Sequence, residues 1–171
     1  LEQYTLKMPH AVYAGKGALA NVKDITAQMK KIAVFADQGI IGAGLLEAPL
    51  NYIKEAGVAY ELISDLAAEP TCDQAQDVVN EFRNKGCDFI VAVGGGSPID
   101  AAKNVVKYEY PEITFEEMCK VFGMPTLRRK HILAISSTSG TATEVTAFSV
   151  ITDYSKGIKY PLADFEITPD V

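Results

Sequence analysis

Gly94, Gly95 and Gly96, followed by Ser97, Pro98 and Asp100, carry the clearest chemical signal in this chain. Residues without a Cβ let the backbone take positive φ and approach a ligand closely. Ser97 can cap a helix, Pro98 suits its first position and Asp100 falls at its third, so a helix beginning at Ser97 is expected. Asp88 to Val93 just before is a short, largely apolar run, as a strand covered on both faces requires. Strand, glycine turn and helix N-terminus thus follow one another, and free amides with the helix dipole behind them bind phosphate. The competing reading is a tight turn that merely reverses the chain. The dinucleotide spacing G-x-G-x-x-G is not matched, since Pro98 and Ile99 occupy its places.

Three further groups could serve the same chemistry. Asp37 ends the apolar run Lys31 to Ala36, where a carboxylate can accept ribose hydroxyls and repel a 2′-phosphate, or simply cap the next helix. The hydroxyl-rich run Ser137 to Glu144 follows the apolar run His131 to Ser136, and its small donors can meet phosphate or ribose oxygens. Ser/Thr loops are also commonplace. Lys159 either points its ammonium at the same crevice or is an exposed strand lysine.

The elements that must hold these groups can be read in order. Tyr4 to Tyr13 reads as an edge strand or hairpin interrupted by Pro9. Gly17 to Met29 has helical spacing at Leu19, Val22, Ile25 and Met29. Lys31 to Ala36 is a strand, and Ile41 to Ala56 a helix with Leu45, Leu46, Leu50 and Ile53 inward, kinked or broken at Pro49 and stopped by Gly57. Val58 to Ile63 is a strand. Pro70, Thr71 and Asp73 open a helix that buries Ala75, Val78, Val79 and Phe82 and ends at Gly86. After the central strand and turn come a helix over Ala101 to Tyr108, a short helix over Phe115 to Val121, a surface loop over Gly123 to Lys130 and the strand His131 to Ser136. Ala147 to Thr152 and Ile158 to Leu162 form a hairpin around Asp153 to Gly157. The alternation predicts an α/β, doubly wound, mostly parallel sheet with ligand sites at the strands' carboxyl ends.

Composition narrows the function classes. With 171 residues, 48% of them hydrophobic, the chain can bury one full core, and a net charge of −6 argues against a nucleic-acid footprint. Arg128, Arg129 and Lys130 read as a solvated loop. No apolar run reaches the roughly 18 to 20 residues of a membrane helix, and no signal-peptide pattern opens the chain, so a cytoplasmic location is expected. Cys72, Cys87 and Cys119 are far apart and read as reduced thiols. His10 reads as structural. His10 and His131 lie far apart, and no H-x-x-x-H spacing offers a metal site.

Taken together, GGGSPIDAAK at Gly94 to Lys103, SSTSGTATEVT at Ser136 to Thr146, ITD at Ile151 to Asp153 and KYPLADFEITPD at Lys159 to Asp170 resemble the N-terminal domain of the iron-containing (metal-dependent, group III) alcohol dehydrogenases. Within that family the wording is similar to butanol dehydrogenases and to the alcohol-dehydrogenase part of bifunctional aldehyde-alcohol dehydrogenases. Ser136-Ser137 stand where the family has Pro-Thr, and Ala142-Thr143 where Gly-Ser is commoner. The resemblance implies a Rossmann-like, dehydroquinate-synthase-like N-terminal domain spanning residues 1–171 that binds NAD or NADP. Gly95, Gly96 and Ser97 would hold the pyrophosphate, with Asp100 near the nicotinamide side. Ser137, Thr138, Thr141, Thr146 and Val150 would line the adenosine and diphosphate path, and Lys159 would reach the nicotinamide ribose. Asp37 matches the position whose carboxylate favours NAD. The catalytic Fe²⁺ or Zn²⁺ is held in the family by an Asp and three His of a helical C-terminal domain, and none of these is in this chain. Expected partners are a small alcohol or aldehyde and, through the N-terminal edge strand, a second copy in a homo-oligomer, with no nucleic acid and no membrane. A dehydroquinate-synthase-like lyase and a non-catalytic nucleotide-binding or assembly module are the alternatives. The KYPLADFEITPD wording favours the dehydrogenases.

Overall fold

The structure, a computed structural model, describes residues 7–107 and 130–171. Four strands form one parallel sheet: β1 (Lys31–Phe35), β2 (Ala59–Ile63), β3 (Phe89–Gly94) and β4 (His131–Ser136), in the order β2-β1-β3-β4. Side chains alternate along a strand, so a sheet buried on both sides needs apolar residues throughout. In β1, Ile32 and Val34 face one apolar cluster, while Ala33 and Phe35 face the other. All six residues of β3 are buried. Each fully buried Ile or Val contributes about 1.5–3 kcal/mol, so the sheet centre is strongly held.

Helices cover both faces. α1 (Asn21–Thr26), preceded by a 3₁₀ turn at Ala18–Ala20, and α3 (Glu47–Glu55) put Val22 and Ile53 against one side. α4 (Cys72–Lys85) and α5 (Gly96–Lys107) pack Val79, Phe82, Val105 and Val106 on the other. α4 starts after Thr71 and stops at Gly86 as its sequence predicts, and the structure adds a full capping box between Thr71 and Gln74 and a left-handed Gly86. Because β1 leads outward to β2 and the chain then returns across β1 to β3, winding reverses between β1 and β3. That is where open α/β sheets form a crevice. The hairpin of β5 (Phe148–Asp153) and β6 (Ile158–Ala163) is antiparallel and buries Ile151 and Leu162 in the cluster of α4 and α5.

Several expectations are corrected. Residues 7–13 carry no strand: His10 and Ala11 both donate to the single carbonyl of Asp170, at 2.8 and 3.3 Å, so no ladder develops. Tyr4 to Leu6 lie outside the described residues. The helix expected over Ile41 to Ala56 is two helices, α2 (Gln38–Gly42) and α3, and the break is at Gly44, with φ +70°, rather than at Pro49. Pro49 sits in the first turn of α3, where its missing N–H costs nothing. Leu45 falls in the break and is 52% exposed instead of inward. The Phe115 to Val121 helix, the loop as far as Arg129 and Cys119 lie outside the described residues.

Candidate functional site

Chain reversal after β3 depends on Gly94. Its φ is +148°, and a Cβ there would sit 2.7 Å from Pro98 Cγ and 3.2 Å from Ile40 Cγ1. Only glycine fits, because α2 and α5 both press on this point. α5 then begins at Gly96, two residues before the Pro98 start that a Ser97 cap implies. Ser97 is inside the helix, and its hydroxyl donates to the Ala68 carbonyl at 3.1 Å. Asp100 is likewise not a first-turn group. Amides at the start of α5 have no partner within their own helix, so the turn retains the donors that the sequence assigned to it.

The second loop closes on this turn. Ser137 N–H donates to the Gly94 carbonyl at 2.9 Å. A Cβ on Gly95 would lie 3.1 Å from Thr138 Oγ1, and one on Gly96 would lie 3.5 Å from Thr141 Cγ2. Thr138 and Thr141 are exposed, and Gly95 and Gly96 half-buried, so hydroxyls and amides share one solvent-facing lip. Asp37 stands across the switch point after β1. It caps α2 by accepting the Ile40 N–H at 2.9 Å on one carboxylate oxygen. The capping alternative is therefore realised, and it leaves the second oxygen outside that bond.

Other expected residues take different places. Thr146 turns toward α5: its carbonyl accepts from Lys103 Nζ at 2.8 Å. Val150 is 42% exposed on β5, and its N–H donates to Asp100 at 3.4 Å. Lys159 forms an exposed pair with Glu69 Oε1 at 3.2 Å, while Tyr154 donates to Glu69 Oε2 at 3.2 Å. The Lys159 hydrogen bond, then that of Tyr154, holds the Glu69 carboxyl below its ordinary value. Glu69 follows Ala68, the partner of Ser97, so Lys159 lies near the start of α5 but is engaged elsewhere. His10 and His131 both flank Asp170 Oδ1, at 3.6 and 3.3 Å, in a tie between chain segments.

Lys103 and Asn104, which flank the expected Asp100 on one helix face, escaped the sequence reading. Asp100, Lys103 and Asn104 form a buried or half-buried polar seam on α5. Lys103 is fully buried, and its ammonium donates to Thr143 Oγ1, the Thr146 carbonyl and the Phe148 carbonyl, each at 2.8 Å. Thr143 in turn donates to Asp100 Oδ1. Burial pushes Lys103 down to about 8 against the attraction of Asp100 and Glu144, and burial likewise raises the Asp100 carboxyl. The available signal was that Ile99, Ala102, Val105 and Val106 surround these residues on a helix with little room for a solvated face.

Two sizeable cavities avoid the glycine turn. One of about 360 Å³ runs along β4 between Val12, Leu19, Ile25, Leu133 and Val145. The other, about 390 Å³, lies at the strands' amino ends beside Phe82, Asp88 and Lys130.

A parallel sheet wound on both faces, with a glycine turn at its switch point and a threonine loop folded over it, defines a Rossmann-like α/β domain. The family profile described as iron-containing alcohol dehydrogenase matches residues 9–171, and the chain belongs to that family. It is 47% identical over 166 residues to the NADPH-dependent butanol dehydrogenase of Clostridium saccharobutylicum, covering 96% of this chain and 42% of that protein. It is 36% identical over 180 residues to a bifunctional aldehyde-alcohol dehydrogenase of Escherichia coli, covering 96% of this chain and 20% of the relative. The iron-containing alcohol dehydrogenase of Thermococcus thioreducens superposes with a TM-score of 0.84 at 32% identity, over 99% of this chain and 45% of that one. The chain thus spans less than half the length of these relatives.

Proposed function

We propose that this chain is the cofactor-binding part of an NAD(P)-dependent, metal-containing alcohol dehydrogenase that moves hydride between a nicotinamide and a small alcohol or aldehyde. The observation that carries the reading is the approach of Thr138 and Thr141 to Gly95 and Gly96 at the mouth of α5. A diphosphate there meets helix amides, a favourable dipole and hydroxyl donors together. Any side chain at Gly95 would fill the space against Thr138, so the turn is kept bare where a ligand must come close. The amides of Gly95, Gly96 and Ser97 would hold the pyrophosphate, and Ser137, Thr138 and Thr141 would close its outer side. Val150 would offer apolar surface near Asp100, Thr146 would support the loop, and Lys159 would reach the nicotinamide ribose on leaving Glu69. The nicotinamide, when bound, supplies the hydride acceptor or donor; this chain orients it and contributes no catalytic residue.

Asp37 favours NAD over NADP in this reading, because its charge opposes a 2′-phosphate. The Clostridium relative carries NADPH in its name, so the two cofactors are the comparison to make. Among the described residues no three His, Cys, Asp or Glu side chains gather as a metal site. In this reading the metal would be held by the Asp and three His of the helical C-terminal domain that the family resemblance implies. No described helix is long and apolar enough to cross a membrane. A cytoplasmic homo-oligomer belongs to the same reading, supported by exposed Met8, Val12 and Tyr13 in the N-terminal segment.

Calorimetric titration of the folded chain with NADH and with NADPH tests the proposal. NADH is expected to bind more tightly. A folded chain that binds neither removes the reading.

A further inference from the structure

We propose that Lys103 is a positioning residue for the cofactor: its buried ammonium ties the threonine loop to the helix that carries the glycine turn, and so fixes the separation of the crevice's two lips. The inference rests on the cofactor-binding reading above. Lys103 lies seven residues beyond Gly96, about 10 Å along α5 at 1.5 Å per residue, so it supports the lip from behind. Its three close acceptors, Thr143 Oγ1 and the carbonyls of Thr146 and Phe148, all belong to the segment that continues from Thr138 and Thr141. An ammonium has three donors, and here each has an acceptor at 2.8 Å. The Asp100 carboxylate is reached through a relay: Lys103 donates to Thr143, and Thr143 donates to Asp100 on the preceding turn of α5. Ser149 extends the seam, approaching the Asp100 carbonyl at 3.2 Å and Asn104 Oδ1 at 2.8 Å. Loop and helix are therefore fastened at four successive points from Thr143 to Ser149. A buried lysine without such partners would not be tolerated, and an apolar residue at 103 would leave two carbonyls and a hydroxyl without their donor.

Titration with NADH, run beside thermal unfolding, tests the inference on Lys103→Met, Thr143→Val and Val105→Ala. Val105 is 2% exposed on the same helix and belongs to the apolar cluster, so its truncation lowers stability without touching the loop. Lys103→Met is expected to weaken NADH at least about tenfold and Thr143→Val about threefold, while Val105→Ala stays within about twofold at a comparable loss of melting temperature. Wild-type affinity should also fall above about pH 8, where Lys103 discharges facing Asp100 and Glu144, and this limb should vanish in Lys103→Met. A folded Lys103→Met variant with wild-type affinity overturns the proposal, as does a Val105→Ala variant that loses as much affinity as Lys103→Met. If Lys103→Met does not fold, Thr143→Val decides: a threefold loss supports the proposal and unchanged binding overturns it. Wild-type chain that binds neither NADH nor NADPH removes the cofactor reading and this one with it, before any variant is made.

Discussion

At Asp37, the structure realises one of the two roles that the sequence offered, the helix cap. One oxygen caps α2, and the charge still stands at the carboxyl end of β1. Replacing it by serine keeps a capping oxygen and removes only the charge. Asp37→Ser should therefore leave unfolding free energy within about 0.5 kcal/mol while lowering the NADH over NADPH preference about tenfold, read by titration with each. Lys103 makes the opposite kind of prediction. Its folded value of about 8 is below the unfolded value of 10.5, so the unfolded chain binds more protons in between. The lysine's contribution to stability is therefore most favourable above pH 10.5 and is lost as pH falls to about 8. Urea unfolding from pH 7 to 10.5 should show this slope in wild type and lose it in Lys103→Met. The glycine turn was legible because its signal is local: strand, bare residues and helix start are contiguous. Lys103 was not. Its partners are Thr143, Thr146 and Phe148, some forty residues along the sequence, and polar residues spaced i, i+3, i+4 on a helix ordinarily read as a solvated face.

Among the elements, those with sequence-local causes were the ones read correctly. The helix start at Thr71, the stop at Gly86 and the antiparallel hairpin all follow from neighbouring residues. The break between α2 and α3 was misplaced because Pro49 is the louder signal but is harmless in a first turn, whereas Gly44 reverses the chain. The start of α5 shifted because Gly94 alone makes the turn, which frees Gly96 to join the helix. Thr71→Ala should cost about 1 kcal/mol in denaturant unfolding and leave NADH affinity unchanged, since the cap is outside the crevice. Gly94→Ala should cost well over 1 kcal/mol, because the left-handed φ adds to a 2.7 Å clash with the Pro98 ring. Soluble yield and circular dichroism would reveal that loss.

Over the molecule as a whole, both ends of the described chain meet β4 at Asp170. Its backbone accepts from His10 and Ala11, its N–H donates to the Ile132 carbonyl at 2.8 Å, and its carboxylate accepts the buried Ile132 N–H at 2.9 Å. Asp170→Ala should cost about 2 kcal/mol, because that amide would lose its partner in the interior. Differential scanning calorimetry would report it as a lower midpoint. The sheet's parallel pairing also bears on how the protein comes to exist. Ile32 pairs with Phe89, and Phe89 with His131, so the central strand finds its register only after two long excursions of backbone have been closed. Such non-local pairing slows folding. The glycine turn hangs from the end of that last-placed strand, so binding competence should arise late in refolding, after most helical signal has returned.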